Sequence, residues 1–135
     1  MTTTSASPRI LIVDDDGGIR AALRDLLREE GMEVVGEATD GTEAVELVEP
    51  LSPDIVLMDL RMPKLGGVEA TRLIKRSSPT TQVVILSAYD DMALNQSAEE
   101  AGAYAYLVKG CAASLVRDVL HEAFKLKQGL DAHHV

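Results

Sequence analysis

Short runs of β-branched and other apolar residues recur along the chain, each followed by a turn and then a stretch whose apolar positions fall three or four residues apart. The runs Ile10 to Val13, Val34 to Glu37, Ile55 to Met58, Val83 to Leu86 and Tyr104 to Val108 predict five strands. The first, third and fourth are apolar without alternation, as expected of strands covered by helices on both faces of a parallel sheet. Between them, Ile19, Ala22, Leu23 and Leu26 recur at helical spacing, with Gly31 placed to close that helix. Asp40-Gly-Thr-Glu43 opens the second helix in a near capping box, and Pro50 is expected to stop it. The third helix follows the turn Met62 to Gly67, and the fifth carries Val116, Val119, Leu120 and Ala123 on one face. The fourth, from about Asp91 to Ala101, offers mostly alanine plus Met92 and Leu94, so it buries little and should be the least tightly held.

Five βα units with right-handed crossovers make an α/β fold, a doubly wound parallel sheet for which 2-1-3-4-5 is one common strand order. The 135 residues suffice for one such domain. Residues 1–8 read as a disordered start, 9–127 as the domain, and 128–135 as a tail or linker stub without periodicity. His133 and His134 in that tail read as solvated rather than metal-binding.

Charge and cysteine content narrow the function. A net charge of −9 argues against direct nucleic-acid binding by this chain. The single cysteine, Cys111, excludes an intrachain disulfide and a multi-cysteine zinc site. No membrane span and no signal-peptide pattern is present, and the expected location is the cytoplasm.

The chemistry sits just after the strands. In the order 2-1-3-4-5, Asp14, Asp15, Asp59, Ser87 and Lys109 share one edge, at the carboxyl ends where ligands bind in such sheets. Two carboxylates about 4 Å apart repel by roughly 4 kcal/mol at an effective dielectric near 20. A divalent cation removes that conflict, and a set of carboxylate oxygens suits Mg²⁺. Asp59 could also attack phosphorus to form an acyl phosphate, with Ser87 and Lys109 clamping the phosphoryl oxygens. A polar residue after a strand is most often only a helix cap, and Asp16 before Gly17-Gly18 reads as one. Five positions that agree in chemistry and register go beyond that explanation.

These residues resemble the response-regulator receiver family of two-component signalling, from about Arg9 to Lys125. The resemblance lies in Ile-Leu-Ile-Val-Asp-Asp-Asp16, Asp54-Ile-Val-Leu-Met-Asp-Leu-Arg-Met-Pro63, Val84-Ile-Leu-Ser-Ala88 and Gly102-Ala-Tyr-Ala-Tyr-Leu-Val-Lys109. It implies a flavodoxin-like sheet in which Asp59 is the phosphoacceptor. Mg²⁺ would be held by Asp15, by Asp14 largely through water, by Asp59 and by the backbone carbonyl of Arg61. It further implies that Ser87 and Lys109 bind the phosphoryl group and that Tyr106 is a switch coupled to Ser87. The implied partner is a sensor histidine kinase or phosphotransfer protein, and self-association as a homodimer is a family expectation. Ala38 to Val45 and Asp59 to Pro63 look most like NarL/FixJ-type receivers, whose longer members usually carry a DNA-binding helix-turn-helix.

The chain departs from the family pattern in having Gly110, where many receivers have proline after the lysine, often with a cis bond; here a cis bond is not expected. Arg61 and Tyr89 flank the acceptor as two large side chains, and slow loss of the phosphoryl group is expected from their shielding. Such a protein is not a turnover enzyme but an acceptor that catalyses its own phosphorylation, with weak autophosphatase activity.

Three other readings compete. A stand-alone receiver would shuttle phosphoryl groups instead of regulating transcription. A degenerate receiver would act only as a binding module. A haloacid-dehalogenase-like phosphatase would use Asp14 as nucleophile and Asp16 as acid, against which stand Gly18 in place of the usual threonine and the lack of paired acids after Lys109.

Overall fold

A computed structural model describes residues 7–88 and 92–132. Residues 1–6, Tyr89, Asp91, His133 and His134, on which parts of the sequence reading fall, lie outside the described residues. The elements run β1 (Arg9–Val13), α1 (Gly17–Glu29), β2 (Glu33–Ala38), α2 (Gly41–Leu51), β3 (Ile55–Met58), α3 (Gly67–Ser77), β4 (Gln82–Ser87), α4 (Met92–Ala101), β5 (Ala105–Val108) and α5 (Ala113–Ala132). All strand pairs are parallel, and the order is β2-β1-β3-β4-β5, as expected from the sequence.

Successive side chains of a strand point to opposite faces, and the central strands are apolar on both, so the sheet supports two cores. Ile10, Ile12, Ile55, Leu57, Val84 and Leu86 face one side, covered by Leu27 of α1 and Leu120 and Phe124 of α5. Leu11, Val13, Val56, Met58, Val83 and Ile85 face the other, under Ala44 and Val48 of α2, Ala70 and Ile74 of α3 and Ala98 of α4. Each fully buried aliphatic side chain contributes on the order of 1.5–3 kcal/mol.

Two element ends differ from the sequence reading. Pro50 lies inside α2, which stops only at Leu51. Ser52, in the left-handed region at φ 46°, donates to the Val48 carbonyl, and the Arg9 guanidinium donates to the carbonyls of Leu51 and Ser52. The proline falls in the final turn, and the carbonyls beyond it are satisfied from outside the helix. At the other end of the chain, α5 continues past Lys127 to Ala132. Lys127 pairs with Asp54 at 3.4 Å and with Asp131 one turn further on, which holds residues 128–132 helical without an apolar stripe.

α4 is as thinly docked as its alanines suggest: only Ala98 and Ala101 are buried, and Met92 is 84% exposed. Its amides are expected to exchange with deuterium well ahead of those of α1, α3 and α5, because few apolar contacts oppose its opening. Protection in α4 equal to that in α5 would contradict this.

Candidate phosphoryl site

Parallel pairing brings the strand ends level. Val13 pairs with Met58, Met58 with Ile85 and Ser87 with Val108, so Asp14, Asp59 and Lys109 each follow a paired residue on one edge. Backbone bonds continue past the strands, from Asp14 N to Ala38 O, Asp59 N to Val13 O and Lys109 N to Ser87 O at 2.7–3.1 Å. The side chains are therefore set by the sheet, while the turn after β1 is closed by Asp16. Its Oδ1 accepts from the amides of Gly18 and Ile19, the capping role expected of it.

Asp14, Asp59 and Ser87 are buried, and Asp15 is exposed at the rim. One carboxylate oxygen from each of Asp14, Asp15 and Asp59 lies within 4.8 Å of the others. Lys109 Nζ is 2.6 Å from Asp14 Oδ2 and 3.4 Å from Asp59 Oδ2. Asp14 Oδ1 accepts from the Asp16 amide, and Asp59 Oδ1 from the Leu60 amide. Burial pushes the Asp59 pKa above its ordinary value; the Asp14 charge adds to this, and Lys109 and the Leu60 amide oppose it without cancelling it. Burial alone would lower the Lys109 pKa, but the hydrogen bond to Asp14 and the charge of Asp59 outweigh it, so the ammonium is held more firmly than usual. This oxygen-only set of acids beside a cation can hold a hard divalent metal or an anion carried by Asp59.

The remaining residues named from sequence fall at the margins. Arg61 is exposed, two residues past Asp59. Tyr106, opposite Ile85, packs half-buried against the core under α4 and borders a surface cavity of about 690 Å³ between α4 and β5. Gly110 adopts φ 94°, closed to proline, and no described peptide bond is cis, in line with the departure noted at that position. Sequence reasoning missed Arg20, whose Nη1 donates to the Asp14 carbonyl at 2.6 Å, and Glu37, which accepts from Arg20 and Arg24. It also missed how closely Gly67 approaches the Asp59 backbone.

Residues 10–121 match the response regulator receiver domain family. The chain belongs to that family. Over 103 residues, 75% of this receiver, it is 50% identical to the transcriptional regulatory protein PdtaR of Mycobacterium tuberculosis, of which it covers 49%. It is 40% identical over 117 residues to the chemotaxis protein CheY of Thermotoga maritima, covering 87% of this chain and 98% of that protein. The signal receiver domain of the putative response regulator NarL from Mycobacterium tuberculosis superposes with a TM-score of 0.82 at 32% identity, over 88% of this chain and 98% of that one. Apart from CheY, the receiver spans about half the length of the first relatives it matches. No helix among the described residues is long and apolar enough to cross a membrane.

Proposed function

We propose that this receiver is the phosphoacceptor of a two-component phosphorelay and that Asp59 takes the phosphoryl group. The carrying observation is that Asp59 is buried beside Asp14 and within 3.4 Å of Lys109, at the strand end next to Ser87. A carboxylate oxygen of Asp59 attacks the phosphorus of a phosphohistidine on a sensor histidine kinase or phosphotransfer protein. The P–N bond breaks, its electron pair stays on the imidazole, and an acyl phosphate forms.

Asp14, Asp15, Asp59 and the backbone carbonyl of Arg61 would hold Mg²⁺, and the three clustered carboxylate oxygens fit a hard octahedral ion. When bound, Mg²⁺ supplies neutralisation of phosphoryl charge. Lys109 exchanges part of its contact with Asp14 for the phosphoryl oxygens, and the Ser87 hydroxyl donates to another of them. Phosphorylation replaces the single negative charge of the carboxylate with a group of roughly −2, which biases Tyr106 and the face made by α4, β5 and α5, where thin docking makes a small energy difference sufficient. Arg61, exposed two residues past Asp59, limits the access of water and slows the loss of the group.

Likeness to the transcriptional regulatory protein PdtaR favours regulation of transcription as the output, with this receiver as one part of a longer protein; a DNA-binding segment for that protein rests on the NarL/FixJ-type sequence features alone. The second reading is a stand-alone phosphoryl shuttle, and the likeness to the chemotaxis protein CheY shows that receivers similar to this one serve outputs other than transcription. Incubation with acetyl phosphate and Mg²⁺, followed by intact mass measurement, tests the acceptor reading. One added phosphoryl group per chain is expected, and none where EDTA is present from the start. An unchanged mass in Mg²⁺ would refute it and leave a receiver acting only as a binding module.

A further inference from the structure

Arg20 lies in the first turn of α1, and its side chain folds back beneath the β1–α1 turn, with Nη2 only 3.4 Å from where a Cβ on Gly17 would stand. Nη1 donates to the Asp14 carbonyl at 2.6 Å, and Nε donates to Glu37 Oε1 on β2 at 3.1 Å. The second oxygen of Glu37 accepts from Arg24 at 2.8 Å. The hydrogen bond from Arg24 holds Glu37 below the usual carboxylate range, with Arg20 adding to it against the effect of burial, so Glu37 is an ionised anchor.

The Asp14 carbonyl belongs to the peptide that joins Asp14 to Asp15. Its orientation sets ψ of Asp14 and φ of Asp15, and hence the directions in which both carboxylates leave the backbone. The Asp14 amide is fixed from β2 through Ala38 O, so the Arg20 bond fixes the other end of the same residue. We propose that Arg20 is a positioning residue for the acidic centre, aiming Asp14 and Asp15 through the peptide between them. This rests on the metal-centre reading above. A peptide left free to tilt changes the directions of both carboxylates and must be ordered when the cation binds, and loss of such supporting contacts typically weakens metal affinity by about 10–100-fold.

The competing explanation is that the Arg20–Glu37–Arg24 cluster only ties α1 to β2. Calorimetric Mg²⁺ titration and urea unfolding of Arg20→Ala, Arg20→Lys and Glu37→Gln separate the two. Arg20→Ala is expected to weaken Mg²⁺ binding by about tenfold. Arg20→Lys, which keeps one donor, recovers part of that loss. Glu37→Gln loosens the tie to β2 and lowers the urea midpoint while leaving Mg²⁺ affinity close to wild type. Wild-type Mg²⁺ affinity in folded Arg20→Ala or Arg20→Lys, with no weakening in either, would overturn the role of Arg20 alone. So would a Glu37→Gln protein that loses as much affinity as Arg20→Ala. Wild-type protein that takes up no Mg²⁺ would overturn the metal centre and this inference together.

Discussion

Asp59→Asn is expected to reduce phosphoryl uptake from acetyl phosphate by more than about a thousandfold, because the amide has no nucleophilic carboxylate oxygen to offer. Neither neighbouring acid can replace it. Asp14 is held by Lys109 at 2.6 Å and by the Asp16 amide, and Asp15 sits exposed at the rim. Labelling of Asp59→Asn at the wild-type rate would move the acceptor elsewhere. The same substitution should make the fold more resistant to urea at pH 7 in metal-free buffer. The Asp59 pKa is raised in the folded protein, chiefly by burial, so its ionised form costs stability at pH values above the raised value. As pH falls through that raised value toward the ordinary 3.8, wild-type Asp59 takes up its proton and the advantage of the variant fades. Glu37, with its lowered pKa, loses its own contribution in acid, but equally in both proteins, so it drops out of the difference. A gain that persists unchanged well below the ordinary value would show that charge burial is not its cause.

Gly67→Ala should produce the second large effect. A Cβ at Gly67 would lie 2.3 Å from the Asp59 carbonyl oxygen and 2.8 Å from Leu60 Cα, both backbone atoms that cannot rotate aside. The Gly67 amide also donates to the Leu60 carbonyl at 2.9 Å, so α3 starts in direct contact with the strand end that carries the acceptor. Making room means lifting α3 or shifting Asp59. Overpacking of this kind costs about 2–3 kcal/mol, read as a lower urea midpoint, and phosphoryl uptake should slow with it. Gly129→Ala is the matching control. Nothing lies within 4 Å of a Cβ there, and alanine in the helical α5 should stabilise by up to about 1 kcal/mol. A Gly67→Ala protein as stable as wild type would mean that the contact between α3 and the acceptor strand is easily remodelled.

The candidate site was legible because of how parallel sheets are built. Ile10 to Val13, Ile55 to Met58 and Val83 to Leu86 are apolar without alternation because helices bury both faces, and each strand ends where polarity returns. In a parallel sheet those ends share an edge, so Asp14, Asp59, Ser87 and Lys109 could be grouped from sequence alone. The helix ends were less legible. Pro50 ends α2 by local rules, yet Arg9, far away in sequence, satisfies the last carbonyls, and residues 128–132 have no periodic signal but are held through Lys127.

The order of apolar runs and the polar residues that close them therefore determined the fold class and narrowed the strand order to a few, of which 2-1-3-4-5 groups the acids, Ser87 and Lys109 on one edge. Only the tertiary structure decided the partners within the cluster. Lys109 lies nearer Asp14 than Asp59, Arg20 reaches the Asp14 carbonyl, and Gly67 abuts Asp59. Those choices depend on side-chain rotamers and on backbone separations of a few tenths of an ångström between segments distant in the chain, and no local pattern of residues encodes such distances.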